Sequence, residues 1–505
     1  MAATARANTP SAYAELSVRF RRLSAISGAL AVLEWDRAAM MPVGGAEARA
    51  EQVAALGVLH HELLTAPAVG ALLDHAEAEA TGLDPWQAAN LRAMRRGWRH
   101  ATALSADLVE AKLRAVSRCE MVWRTARAEN DFAALRPHLA EVVALTREAA
   151  GVKAAAFGCT PYEALLDEYE PEGSLDRLDT LFGELLGFLP DFVARALETQ
   201  AHQPAPIVPR GPFPAERQRQ AALRLMTALG FDFNHGRLDA SDHPFTGGVP
   251  QDVRITTRYD EADFTRALMG VLHESGHAFY ERGLPEAWAD QPVGQARGMA
   301  LHESQSLLIE MQVCRSPAFL AFAAPILREV FAGEAAAFAP DNLGRVYRRV
   351  ARSLIRVDAD EVTYPLHVIL RYRLEKALLA GDLAVADLPG AWSAGMVELV
   401  GVAPPSDREG CLQDIHWPGG AFGYFPTYTL GALAAAQLFA AAKAQIPDLL
   451  DLIATGEFAP LRQWLTANVH CFGARFGTDA VLRQATGSVL GTAAFRRHLE
   501  ARYLT

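Results

Sequence analysis

The sequence predicts a mainly α-helical protein, and three observations carry that expectation. From about residue 11 to residue 201 apolar side chains recur at three- and four-residue spacing, β-branched residues rarely cluster, and prolines and glycines gather in a few stretches. With 505 residues, 50% of them hydrophobic and 21% charged, the chain can bury a large core. Such a length leaves room for roughly two to four domains. Its 38 glycines and 28 prolines are close to average usage, which excludes a collagen-like or low-complexity chain.

Taken in order, the first segments read as a succession of helices. The stretch from Leu23 to Met41 is typical: Ile26, Leu30, Leu33 and Ala38 lie on or near one face, and Pro42 stops it. No repeat period is visible, so a solenoid is not expected. The first break is AHQPAPIVPRGPF, residues 201–213, where four prolines cannot sustain a helix. It marks the expected boundary between an N-terminal helical subdomain, 1–203, and a second subdomain, 204–505, that carries the chemistry below. Ala215 to Leu229 is helical again. Then Val253, Ile255, Thr256, Thr257 and Tyr259 form a run of β-formers between Gly/Pro and acidic residues, read as the edge strand of a small antiparallel hairpin. Helices follow almost to the end, except across Gly401–Tyr428, a segment rich in Gly, Pro and aromatics that is too long for a neutral connection.

Charge narrows the function. With 48 basic against 59 acidic side chains the net charge is −11, which argues against a main role in holding nucleic acid or an anionic membrane. The first residues lack the apolar core of a signal peptide, and no stretch reaches the roughly 18 apolar residues of a membrane span, so a soluble, cytoplasmic protein is expected. The five cysteines, Cys119, Cys159, Cys314, Cys411 and Cys471, are odd in number and scattered, as reduced packing thiols would be. Only Cys411, beside the chemistry below, invites a functional reading.

The segment ADFTRALMGVLHESGHAFYERG predicts a helix with Asp260 as N-cap and Gly283 as its stop. Within it His273 and His277 are four residues apart, so both imidazoles share one face at a separation a tetrahedral zinc can bridge. Glu274 is rotated by about 100° from His273, poorly placed as a third ligand but able to reach a metal-bound water. With 15 histidines in the chain, a chance HExxH is expected at most about 0.05 times, so the motif is suggestive and the competing reading is an amphipathic helix with two satisfied histidines. Leu268, Met269, Leu272, Phe279 and Tyr280 around it predict burial, where unpaired imidazoles would be costly. A catalytic zinc needs a third protein ligand. Glu303, twenty-six residues after His277 on the apolar helix ARGMALHESQSLLIEMQV, is the best candidate. His302 is displaced by about 100° and reads as a supporting or surface residue, and Glu310 as a salt-bridge partner.

These residues also resemble a known family. The segments WDRAAMMP (35–42), HPF (243–245), DVRITTRY (252–259), HESGH (273–277), HESQS (302–306), IRVDAD (355–360), GCLQDIHW (410–417) and GYFPTY (423–428) match, in order and across nearly the whole chain, the carboxypeptidase Taq family of zinc metallocarboxypeptidases. The resemblance implies a helical two-lobed fold with a long groove, similar to neurolysin and angiotensin-converting enzyme, its small sheet lying beside the active site. It implies one Zn2+ per chain, with Co2+ a possible substitute, held by His273, His277 and Glu303, and usually a homodimer. The implied reaction is release of single amino acids from peptides with a free C-terminal carboxylate, by attack of metal-activated water, with broad tolerance and poor action at proline. The chain departs from the family pattern at Leu307, where Arg often follows HESQS, and at Arg37, Ala38 and Ala39, which replace the usual residues after Trp35 and Asp36.

Further roles follow from that match and from the chemistry. His416 and Tyr424, on the Gly-rich segment that the resemblance places over the metal, are candidate donors to the oxyanion. An extended peptide could pair with the strand beginning at Asp252, and His243 would start the same hairpin; both are candidate substrate contacts. Arg345, Arg349, Arg352 and Arg356 form a basic stripe at helical spacing, with Arg356 able to pair with Asp360. An exopeptidase must recognise a carboxylate, and Arg356, the arginine of the IRxxAD match, is the candidate anchor. Two competitors are a helical-cleft oligopeptidase that cuts internal bonds and a catalytically silent peptide-binding protein. An intact Glu274 argues against the latter, which would have no use for a general base.

Overall fold

The structure is a computed structural model in which residues 11–505 are described. Among the described residues, nine α-helices fill the first part: α1 (Ala12–Ala39), α2 (Ala46–Thr65), α3 (Pro67–Ala78), α4 (Pro85–Thr102), α5 (Ala106–Glu129), α6 (Phe132–Phe157), α7 (Pro161–Tyr169), α8 (Leu175–Leu186) and α9 (Leu189–Ala201). Many starts are chemically marked. Ser11, Ser105 and Asp131 accept from first-turn backbone N–H groups, and Asp84 and Thr160 close capping boxes with Gln87 and Glu163. After the proline-rich connection come α10 (Ala215–Leu229), the sheet, α11 (Phe264–Gly283), α12 (Met299–Leu307), α13 (Pro317–Phe331), α14 (Pro340–Tyr347), α15 (Tyr364–Ala380) and α16 (Leu388–Leu399). The last helices are α17 (Pro426–Gln445), α18 (Leu449–Ala454), α19 (Ala459–Asn468), α20 (Thr478–Thr486) and α21 (Ala493–Tyr503). The helical expectation therefore holds. Among the described residues no single helix is long and apolar enough to cross a membrane.

Three strands interrupt the helices: β1 (Gly236–Ala240), β2 (Phe245–Val249) and β3 (Asp252–Thr257), in the order β1-β3-β2. β2 and β3 form the expected hairpin, but β1 runs parallel to β3, so the sheet is mixed. The strand at Asp252 consequently lies in the centre of the sheet and not at its edge. The sequence hid this because β1, GRLDA, contains no β-branched or aromatic residue and takes its place through backbone pairing and one buried side chain, Leu238.

Apolar packing is divided among three cores. The largest draws on helices from α5 to α21, including Phe192, Leu272, Phe319, Trp392 and Leu433. A smaller one joins α1, α3 and α4 through Leu16, Phe20, Leu73 and Met94. The third locks the sheet against α10 and α11, with Leu238, Val253 and Ile255 meeting Met226, Val271 and Ala278. That third core fixes α11 beside the strands. On the other side of the sheet Trp35 of α1 lies over Arg254 at 4.2 Å and Arg237 at 5.1 Å.

Candidate active site

α11 begins one turn later than Asp260 suggested: Asp263 is its N-cap and accepts from Thr265 N–H, because Asp260 is occupied in the preceding turn with Ala262 N–H. Its closest neighbour is α12. At Gly276 a Cβ would collide with the Gln305 carbonyl and Ser306 Cα, and at Gly431 of α17 one would lie 2.8 Å from Glu303 Cβ. Two glycines thus let three helices approach around Glu303. Glu170, buried at the end of α7, accepts from Ala300 N–H at 3.0 Å and so caps the start of α12.

The consequence is a cluster. One donor atom each from His273, His277 and Glu303 lie within 4.8 Å of one another. His273 Nε2 is 3.9 Å and His277 Nε2 3.5 Å from the Glu303 oxygens. Three ligands about 2.1 Å from one tetrahedral ion stand roughly 3.4 Å apart, so the donor set is close to what a divalent metal requires. Neighbours set the tautomers. His302 Nε2–H donates to Glu281 at 2.8 Å, leaving His302 Nδ1 to accept from His277 Nδ1–H at 2.7 Å, and His273 Nδ1–H donates to Glu310 at 2.9 Å. Both Nε2 lone pairs are thereby turned to the shared point, as supporting partners of metal-bound histidines do. Glu310 is itself gripped by Arg315. Burial disfavours a charge on His273, but the Glu303 and Glu310 carboxylates outweigh it and push the imidazole up to about 10, so without a metal its Nε2 also carries a proton, which a bound ion would replace. Glu274 is buried one position from His273, and Thr246 of β2 donates to its Oε2 at 2.6 Å.

A second cluster lies on the Gly-rich segment, which is non-helical from Gly401 until α17 starts at Pro426. Asp414 accepts from Arg356 Nη2 at 2.9 Å and Nε at 3.1 Å, and from Arg371 Nε at 2.6 Å. Gln413 Oε1 accepts from Arg371 Nη2 and from the Arg356 N–H. Despite burial, the two guanidinium groups hold the Asp414 carboxyl well below the usual carboxylate range. Burial and the nearby Arg356 charge together lower Arg371 to about 10 and His416 to about 4, so His416 is a neutral imidazole at neutral pH. His416 Nε2 is 3.3 Å from the Tyr428 hydroxyl. Tyr424 packs edge-on to Tyr428 and Tyr169, with ring centroids at 5.2 and 5.0 Å, and burial with the Glu303 charge keeps its hydroxyl protonated.

Several expectations need correcting here. Arg345, Arg349, Arg352 and Arg356 form no stripe: α14 ends at Tyr347, and the chain to Arg356 is irregular. Arg356 does not pair with Asp360 either, because Asp360 is spent on the N–H groups of Ala351, Val362 and Thr363. His243 is exposed at the turn before β2, and its carbonyl accepts from Ser241 Oγ. Asp252 is tied to Arg254 beside Trp35. Neither belongs to the metal cluster. Cys411 is buried, and burial pushes its thiol up, as in a packing residue.

A family profile described as the carboxypeptidase Taq (M32) metallopeptidase matches residues 15–503. The chain belongs to this family. It is 41% identical to thermostable carboxypeptidase 1 of Thermus thermophilus, over 98% of this chain and 99% of that protein, and 33% identical to carboxypeptidase 1 of Bacillus subtilis, over 96% of each. Its structure is similar to that of Trypanosoma cruzi metallocarboxypeptidase 1, with a TM-score of 0.96 and 42% identity over 98% of this chain and 99% of that one. An M32 carboxypeptidase from Deinococcus radiodurans gives 0.93 and 36%, over 98% and 99%. As a member of the carboxypeptidase Taq family the chain is a metallocarboxypeptidase, a hydrolase acting on peptides, and uses a divalent metal.

The carboxypeptidase site also contains residues that spacing alone missed. Thr246, Tyr364, Tyr428 and Arg371 each touch a candidate residue from another element, with Tyr364 accepting from Arg356 Nη1 at 2.7 Å. A polar residue on a strand beside HExxH, and a buried arginine on an apolar helix, were the signals that could have found two of them.

Proposed function

We propose that the metal is zinc, held by His273, His277 and Glu303, and that the enzyme releases single amino acids from free peptide C-termini with broad side-chain tolerance and poor action at proline. The observation that carries this is the position of the buried Glu274 carboxylate, next to a cluster whose two imidazoles both aim Nε2 at Glu303. A divalent ion held by His273, His277 and Glu303 would supply Lewis-acid polarisation of a carbonyl and a more acidic water. Glu274, steadied by Thr246, takes a proton from the attacking water and passes it to the departing amine nitrogen. Tyr424 O–H and the neutral His416 donate to the carbonyl oxygen as negative charge grows there. Arg356 holds the terminal carboxylate. Two guanidinium groups share the single Asp414 carboxylate, and Arg356 spends three of its five N–H groups, so positive charge and donors are both left over. Asp252 and His243 are proposed as outer substrate contacts at the sheet. These groups act on the main chain and the terminus, which suits broad tolerance; a proline amide, lacking N–H, fits such a site poorly. Following the resemblance, we also propose a homodimer located in the cytoplasm.

The test is a mixed peptide pool incubated with zinc-loaded protein and read by mass spectrometry. Ladders losing one C-terminal residue at a time are expected, abolished by prolonged chelation and restored by zinc or cobalt. Internal fragments would indicate an oligopeptidase, and turnover in metal-free protein would overturn the ligand assignment.

A further inference from the structure

α12 has different surroundings at its two ends. Its C-terminal half, at Glu303 and Leu307, faces a small cavity of about 150 Å³ that also touches Val357 and Tyr364, the neighbours of Arg356. Its N-terminal half, at Met299 and His302, faces a chamber of about 620 Å³ also lined by residues of α1, α2 and α4. That volume is within the range of about 300–1,000 Å³ typical of ligand sites. The two spaces share no lining residue, and only the smaller is lined by candidate metal ligands, His273 and Glu303. Two of the chamber's lining residues touch the chemistry: His302, which bonds His277, and Tyr169, which packs on Tyr424.

The chamber's charge is opposite to that of the chain. The protein carries a net charge of −11, yet four arginines, Arg92, Arg96, Arg297 and Arg475, line this space against two glutamates, Glu168 and Glu172. Both glutamates are already engaged, Glu168 by Lys153 and Glu172 by Arg297, while Arg96 is paired with Asp167. Among the described residues Arg92 makes no salt bridge, and Arg475 has only the faces of Trp86 and Phe476, at 5.1 and 4.7 Å. Arg297 Nε is buried without a hydrogen-bond partner.

We propose that this chamber holds the part of the peptide upstream of the scissile bond and selects acidic side chains there, with Arg92 and Arg475 as the specificity-determining groups. The direction rests on the preceding reading, in which the C-terminal residue lies at Arg356. A peptide anchored there and crossing the metal runs along α12 toward Met299 and enters the chamber. Its acidic side chains then meet two guanidinium groups that no protein carboxylate neutralises.

The test uses free-acid peptides with a common C-terminal half and either glutamates or lysines upstream. For the wild type, kcat/KM is expected to favour the glutamate peptide by about three- to thirtyfold at low ionic strength, the gap closing as salt is added. Arg92→Glu, at an exposed position, and Arg475→Gln should each lower the ratio, and the double variant should bring it to one or below. Calorimetric binding of the same peptides to Glu274→Gln protein gives a readout independent of turnover and should show the same order. Equal binding of both peptides, or a ratio untouched by both substitutions, overturns the chamber's role. Release of no amino acid from any peptide, with the binding preference intact, would instead break the carboxypeptidase mechanism proposed above.

Discussion

The candidate metal centre and the arginine cluster, proposed to serve the same reaction, are built in different ways. His273, Glu274 and His277 are presented by one turn of one helix, and only Glu303 comes from elsewhere, brought close by glycines at 276 and 431. The arginine cluster draws Arg356 from an irregular segment, Arg371 from α15, and Gln413, Asp414 and His416 from a long loop. A helix repeats its geometry every turn, so a spacing is already a distance. A loop has no such repeat; its side chains are placed by what they bond to, here a carboxylate shared by two arginines. The first region should therefore tolerate loss of a reactive group without losing its shape, whereas the second should respond through binding and fold together.

The largest effect tests the helical region alone. Glu274→Gln keeps the size of the side chain and removes its basicity, so kcat should fall by about 10² to 10⁴ while bound metal stays near one per chain. Parallel loss of metal would make Glu274 part of the framework and erase the contrast. Next is Tyr424→Phe, which deletes one donor and keeps the ring between Tyr169 and Tyr428. Loss of such a donor costs about 3 to 4 kcal/mol in the transition state, roughly 10² to 10³ in kcat, with KM little changed. Wild-type turnover would return Tyr424 to a packing role.

Arg356→Ala probes the loop-built region. It removes the proposed anchor and leaves Asp414 to Arg371, so kcat/KM for free-acid peptides should drop at least about thirtyfold, and the preference over C-terminally amidated peptides should narrow. Assaying acid and amide peptides on both proteins, with melting followed alongside, separates lost recognition from lost folding. An unchanged acid-to-amide preference would place the anchor elsewhere.

The smallest effect is on pH dependence. Glu375 of α15 is fully buried and ties down the loop by accepting from Tyr162 O–H at 2.7 Å, Trp417 Nε1 at 2.9 Å and Gly423 N–H at 3.2 Å. Burial outweighs these donors and raises its carboxyl from 4.5 to about 7. Between those values the unfolded chain releases this proton while the folded protein keeps it, so stability falls as pH rises through that window. In Glu375→Gln this slope should flatten in a plot of Tm against pH. A slope identical to that of the wild type would show that the loop is anchored by other groups.

Much of this was legible beforehand. The helix at 215–229, the proline-rich break and the HExxH triplet all depend on residues within a few positions of one another, whereas the N-cap of α11 is Asp263 and not Asp260. Glu303 was found because a carboxylate on an otherwise apolar helix needs a cation. What failed to read were pairings across distance: β1, whose residues carry no strand signal; Arg356, which exchanged a nearby Asp360 for Asp414 fifty-eight positions on; and the arginine stripe, whose helical spacing continues past the end of α14.

The sequence by itself determined the helical class, the paired histidines of α11 with the carboxylate beside them and, through its motifs, the peptidase family, because each depends on local period or on residue types that chemistry restricts. Only the tertiary structure decided which strand is central, that His302 and Glu310 set the imidazole tautomers, and that one buried carboxylate serves two arginines. The physical reason is burial. Removing these groups from water obliges each to find a partner, and which partner is within reach depends on helix packing that no local pattern of residues specifies.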